Sequence, residues 1–130
     1  MRLPRWESIL AEQIETAKHL PFEWGQHDCI LWAGGCAEAI TGRDFIGFIR
    51  GQYSTQKQAY RIIKSLAPSL PEAVDLYAPQ IAIGRAQRGD VVWNGEAMGV
   101  CNGVYSLFIM PDIGLVSIKT MDCLIAWRIE

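Results

Sequence analysis

The chain has 130 residues, half of them apolar and a fifth charged, and this composition fits one globular domain with its own hydrophobic core. Twelve basic and 14 acidic residues give a net charge of −2, which argues against a nucleic-acid partner held by a basic surface. No apolar run approaches the ~18 residues of a membrane span, and the first residues lack the apolar core of a signal peptide. We therefore expect no membrane span and no secretion.

The first half of the chain predicts helices. Pro4 is well placed as the first residue of a helix that ends at Leu20-Pro21. A second helix is predicted from Cys29 to Thr41, between Asp28 as N-cap and Gly42 as C-cap glycine. Because this second helix is apolar on most of its sides, we expect it to be central and buried.

Two adjacent glycines, Gly34 and Gly35, lie inside the second helix, where each costs roughly 1 kcal/mol relative to alanine. The expected compensation is close approach of another backbone, most plausibly that of a β-sheet. Leucine at either position should then destabilise the domain by overpacking. The alternative is a helix break at Gly34. A third helix is predicted from Gln56 to about Ala67, and a short helical or irregular stretch covers 73–77.

The second half changes to strands after Arg88-Gly89-Asp90. Asn94-Gly95 and Asn102-Gly103 separate apolar runs, and Asn-Gly is the strongest short signal for a β-hairpin. Short turns make neighbouring strands antiparallel, so the sequence predicts an α+β fold with an antiparallel meander. The five predicted strands are Val91–Trp93, Met98–Cys101, Val104–Met110, Leu115–Lys119 and Leu124–Ile129.

Four cysteines occur in the chain. Without a secretion signal they are interpreted as free thiols, and no Cys-x-x-Cys pair suggests a zinc site. Three of them, Cys36, Cys101 and Cys123, are interpreted as small buried hydrophobes. Cys29 is different because it opens a helix, where unpaired backbone N–H groups favour thiolate over thiol. Papain-type folds hold a cysteine nucleophile in this way, facing a sheet that supplies a basic histidine.

The segment around Cys29 resembles a known family. Residues 22–29 match the pattern Phe-x-Trp-Gly-x-x-Asp-Cys, and 41–44 and 126–127 match its Thr-Gly-x-Asp and Ala-Trp steps. With the Arg-Gly-Asp-Val-Val run at 88–92, the chain resembles short phage and prophage tail-associated proteins related to NlpC-type cell-wall endopeptidases. The resemblance implies one NlpC-like domain over 1–130. It also implies a papain-like fold, with N-terminal helices packed on a C-terminal five-stranded antiparallel meander.

The resemblance also identifies a departure from the hydrolytic members. Those members carry the general base, a histidine, at the position that Ala97 occupies here. A third polar position falls near Ser117. The chain has only two histidines, His19 and His27, and both precede Cys29. Loss of a general base typically lowers the rate by ~10²–10⁴.

Three functions follow from these patterns. The first is a catalytically impaired structural protein of the virion tail tip or of tail assembly, whose partners are other tail or hub proteins. The second is an active cysteine peptidase that cleaves peptidoglycan stem peptides during phage entry, with Cys29 as nucleophile and His27 as base. The third is an ordinary binding domain with a structural Cys29. None of the three involves a cofactor, a metal or nucleic acid.

Overall fold

A computed structural model describes all 130 residues and shows an α+β protein with four α-helices and one six-stranded antiparallel sheet. No helix has both the length and the apolar character needed to span a bilayer. The helices are α1 (Trp6–Ala17), α2 (Cys29–Thr41), α3 (Gln56–Lys64) and α4 (Leu70–Asp75). The strands are β1 (Gln80–Ile81), β2 (Val91–Trp93), β3 (Met98–Cys101), β4 (Tyr105–Met110), β5 (Gly114–Lys119) and β6 (Ile125–Trp127). Short 3₁₀ helices lie at Ile83–Arg85 and Thr120–Asp122.

The strand order is β1-β6-β2-β3-β4-β5, which corrects the prediction of a five-stranded meander. All five predicted strands are present, but only β2 to β5 follow one another as neighbours. The last strand, β6, crosses back to pair with β2, and a two-residue strand, β1, pairs with its other edge. The reason is the connection after β5, which is a 3₁₀ turn rather than a tight hairpin. After this turn, the Leu124 N–H donates to the Trp93 carbonyl at 2.8 Å.

The second helix is buried and lies on the sheet, as predicted. Asp28 caps its start, and Gly42 ends it at φ 75°. The α2 helix packs on β3 and β4, where the Trp32 indole Nε1 donates to the Leu107 carbonyl at 2.9 Å. The sheet therefore holds the helix in one orientation, and with it the position of Cys29.

The two glycines inside α2 have different surroundings, and neither meets the backbone of the sheet. A Cβ at Gly34 would overlap the Ile46 side chain, which lies in the loop after the helix. A Cβ at Gly35 would meet nothing within 4 Å. The predicted close approach therefore exists only at Gly34, and the partner is a side chain.

A junction at Asp90 ties both ends of the chain to the start of β2. Asp90 is fully buried, and its carboxylate forms ion pairs with Arg2 at 2.9 Å and Arg128 at 3.1 Å. The same carboxylate accepts hydrogen bonds from the backbone N–H groups of Gln87 (2.8 Å) and Ile129 (3.0 Å). We call these five residues the terminal junction.

The N-terminal residues are held by this junction, which corrects the predicted start of α1 at Pro4. The Arg2 guanidinium also donates to the Ile129 carbonyl at 2.8 Å, and the Leu3 N–H donates to the Ile40 carbonyl at 2.8 Å. With these residues fixed on the sheet and on α2, the chain turns at Arg5 (φ 62°) and the helix begins at Trp6.

Candidate functional site

Asp28 organises the segment in front of Cys29. Its side chain is fully buried and accepts four hydrogen bonds. One oxygen accepts from the backbone N–H groups of Ile30 (3.0 Å) and Leu31 (2.9 Å), and this caps α2. The other oxygen accepts from the Gly25 N–H (2.9 Å) and the Tyr53 hydroxyl (2.5 Å). One carboxylate thus joins the helix start, the preceding loop and a tyrosine 25 residues away.

The loop before Asp28 is a closed turn. Glu23 and His27 exchange two backbone hydrogen bonds of 2.9 and 2.8 Å, and Phe22 and Trp24 pack edge to face with ring centroids 5.0 Å apart. Gly25 has φ 83°, and a Cβ there would overlap the Tyr53 carbonyl. The Trp-Gly step therefore has a structural reason, because only glycine permits this contact.

Cys29 and Ala97 line the same cleft, which has a volume of about 340 Å³. Both residues are buried, so the thiol lies in the wall of the cleft rather than on the surface. Seven of the ten lining residues are hydrophobic, and none is a histidine. The cleft is lined by Phe22, Trp24, Cys29, Gln56, Tyr60, Glu96, Ala97, Ile109, Met110 and Pro111.

The Cys29 side chain is a thiol rather than a thiolate at neutral pH. Burial raises its pKa to about 11, and the negative charge of Asp28 adds to the increase. Hydrogen bonding with the backbone of Met98, Cys29 and Ile30 lowers the pKa but does not offset the burial. The helix N-terminus therefore does favour thiolate, as expected, but burial of the thiol and the capping carboxylate outweigh that effect.

Two tyrosines near the cleft also keep their protons. The pKa of Tyr53 is raised, mainly by burial and then by its hydrogen bond to Asp28. The pKa of Tyr60 is raised by burial and by the proximity of Cys29. Glu96 is the one carboxylate among the lining residues, and it lies on the exposed rim. A carboxylate is a much weaker base than imidazole, so Glu96 is a poor acceptor for a thiol proton.

The remaining predicted site residues lie outside the cleft. The ring of His27 faces that of Trp32 edge on at 6.5 Å, and its Nε2 is buried without a hydrogen-bond partner. Burial lowers the pKa of His27, although the charge of Asp28 opposes the shift, so the ring is neutral at pH 7. His19 is exposed at the end of α1, and Ser117 is exposed on β5. The structure does not bring any of these three residues into the cleft with Cys29.

Sequence reasoning missed Tyr53, Tyr60 and Glu96. Tyr60 lies within the third predicted helix, but nothing in the local sequence links it to Cys29. Tyr53 precedes that helix without any motif, and its contact with Asp28 is visible only in the folded chain. Glu96 directly precedes Ala97, so its place on the cleft rim follows from that neighbour.

Comparisons with known proteins identify a family but no function. No curated protein matches the chain. One family model, described as a domain of unknown function (DUF6950), matches residues 1–129. Since the match covers all but the last residue, the chain belongs to the DUF6950 family.

Proposed function

We propose that the chain is a structural protein of a phage virion tail, acting at the tail tip or in tail assembly. We propose further that it is built on a papain-like, NlpC-type peptidase fold that has lost its catalytic base. Two features support the fold proposal: a buried helix opens with Cys29, and it packs on an antiparallel sheet. The partners would be other tail or hub proteins.

One observation carries the proposal. Ala97 lines the cleft beside Cys29, and no imidazole does. A cysteine hydrolase needs a nucleophile and a base within hydrogen-bond reach of each other. A methyl group cannot accept a proton, so the cleft lacks the second group.

The state of the thiol adds a second obstacle to catalysis. With its pKa raised to about 11 by burial, Cys29 is almost entirely a thiol at pH 7. A base in the cleft would normally remove this proton during attack. Without one, peptide cleavage should be negligible.

A digestion assay tests the loss of activity. Purified protein is incubated with peptidoglycan fragments, and released muropeptides are measured by mass spectrometry beside the Cys29→Ala and His27→Ala variants. We expect no release above the level of Cys29→Ala. Release by the wild type that disappears in both variants would contradict the proposal. It would establish instead an active peptidase that cleaves stem peptides with a rearranged Cys29–His27 pair.

A genetic assay tests the structural role. We expect phage that carry Cys29→Ala to form normal particles, whereas phage without the gene should yield incomplete tails by electron microscopy. Complementation from a plasmid controls for effects on neighbouring genes. Normal, infectious particles in the absence of the gene would overturn the assembly role.

A further inference from the structure

The two edges of the sheet differ in how they are protected. One edge is the two-residue strand β1, whereas the other is the six-residue strand β5. Long edge strands are usually blunted by proline, charge or a covering loop, since their free backbone groups invite pairing. The β5 strand contains no proline, and its one charged residue is Lys119 at the far end. This edge is therefore open along most of its length.

The direction of the free backbone groups can be derived from the pairing with β4. The Thr120 N–H donates to the Val104 carbonyl at 2.8 Å, so this pair is hydrogen-bonded. Pairs along an antiparallel ladder alternate between bonded and non-bonded. Val116 is therefore bonded to β4, whereas the N–H and C=O groups of Leu115 and Ser117 point away from the sheet. No backbone hydrogen bond from another segment satisfies them.

A second cleft lies at the start of this edge. Its volume is about 590 Å³, and it lies between the end of α1 and the β4–β5 turn. Phe22 lines both this cleft and the Cys29 cleft. The second cleft also contains Leu20 and Ile113, which are 43% and 72% exposed, and it ends at Gly114-Leu115. Apolar side chains left this exposed beside free backbone groups suit an extended ligand that covers both.

We propose that this face binds an extended peptide segment of a partner protein, which pairs with β5 as an added strand and places an apolar side chain between Leu20 and Ile113. The ligand class follows from the edge itself. Only a peptide backbone offers alternating N–H and C=O groups that match those of Leu115 and Ser117. An acyl chain, which has no hydrogen-bonding groups, would leave them unpaired. The inference rests on the proposed function, since it identifies the kind of partner contact that a structural tail protein would make.

The test uses peptides selected from a random dodecapeptide display library on the full chain. Affinities of the synthetic peptides are then measured by isothermal titration calorimetry. Ser117→Pro removes one outward N–H at an exposed edge position, and Ser117→Ala is its matched control. We expect Ser117→Pro to weaken binding at least tenfold and Ser117→Ala to leave it unchanged. Ile113→Asp should weaken binding similarly, whereas Leu76→Asp, at an exposed apolar residue elsewhere, should not.

A second measurement keeps the protein unchanged, in case Ser117→Pro perturbs the fold. Peptides methylated at one backbone nitrogen at a time should lose affinity at every second position, because alternate N–H groups face β5. Equal affinity for all methylated peptides, or failure to select any peptide, would overturn the inference. So would a dimer of the free chain that Ser117→Pro dissociates, since the edge would then bind a second copy.

The outcomes separate this inference from the proposed function. A selected peptide that is bound and then cleaved, with cleavage lost in Cys29→Ala, would overturn the inactive role and leave the β5 site standing. Incomplete tails in the gene deletion, with no peptide bound at β5, would support the structural role and overturn the β5 site.

Discussion

Two buried aspartates organise two regions of the molecule by different means. Asp90 and Asp28 are both fully buried, and each carboxylate has four partners. Asp90 faces two guanidinium groups and two backbone N–H groups at the terminal junction. Asp28 faces three backbone N–H groups and a tyrosine hydroxyl beside the Cys29 cleft, with no cation. One negative charge is thus neutralised, and the other is only hydrogen-bonded.

The difference affects the neighbouring groups. At the terminal junction, Asp90 forms ion pairs with Arg2 and Arg128. These pairs hold the two ends of the chain together. At the cleft, burial raises the pKa of Cys29 and of Tyr53, and the unmatched charge of Asp28 adds to both increases. The same carboxylate that positions the helix start therefore opposes ionisation of the thiol on that helix. This arrangement disfavours the thiolate that a nucleophile needs, but it suits a rigid binding surface.

The largest expected effect is at the terminal junction. Asp90→Ala leaves two guanidinium groups without their anion, and removing one partner of a buried pair typically destabilises by several kcal/mol. We expect the free energy of unfolding to fall by about 3 kcal/mol in urea denaturation. Asp122→Ala, at an exposed aspartate without side-chain hydrogen bonds, is the control and should change it by less than about 0.5 kcal/mol. Equal effects of the two variants would show that the junction does not hold the termini.

Asp28→Asn tests the other half of the comparison. The amide keeps one oxygen for the helix cap, but its NH2 group can accept from neither Gly25 nor Tyr53, so we expect a loss of about 2 kcal/mol. It also removes the negative charge, so the pKa of Cys29 should fall below its value of about 11. Alkylation by iodoacetamide between pH 8 and 11, resolved by peptide mass spectrometry, measures the pKa. If the pH dependence of Cys29 alkylation does not change, the charge of Asp28 does not contribute to the pKa of Cys29.

The helix that joins the two regions offers a matched pair of variants. Gly34→Ala would force the Ile46 side chain aside, and we expect a loss of about 1 to 2 kcal/mol in unfolding free energy. Gly35→Ala meets open space in a helix interior and should stabilise by about 0.5 to 1 kcal/mol. Thermal unfolding of both variants measures the contrast. Two variants of equal stability would contradict the different surroundings of these glycines.

Much of the fold could be predicted from local patterns. The Asp28 cap and the Gly42 terminus fix α2 within the sequence itself, and Asn-Gly turns fix the β2–β3 and β3–β4 neighbours. The position of β6 could not be predicted, because its pairing with β2 depends on contacts between residues far apart in the chain, such as Ile129 with Asp90. Strand β1 was missed because it has only two residues.

The candidate site was predicted in part. The sequence identified Cys29 at the start of a helix, and the resemblance placed Ala97 opposite it; both line one cleft. The net pKa of Cys29 could not be predicted, because burial outweighs the effect of the helix N-terminus and burial is not visible in a local motif. The assignment of His27 as an alternative base remains a proposal, but its ring packs on Trp32 outside the cleft.

The smallest expected effect is a pH dependence confined to the cleft side of the molecule. Burial lowers the pKa of His27 below the ordinary value of 6.5, and its Nε2 has no partner that would stabilise a proton. Below pH 6.5 the unfolded chain therefore binds this proton more readily than the folded chain, and stability falls as the pH decreases. The melting temperature of the wild type should drop between pH 7.5 and 5.5, and His27→Gln should drop less. His19→Gln removes the exposed imidazole instead and should retain the wild-type dependence. If the two variants lose it equally, the buried environment of His27 is not its source.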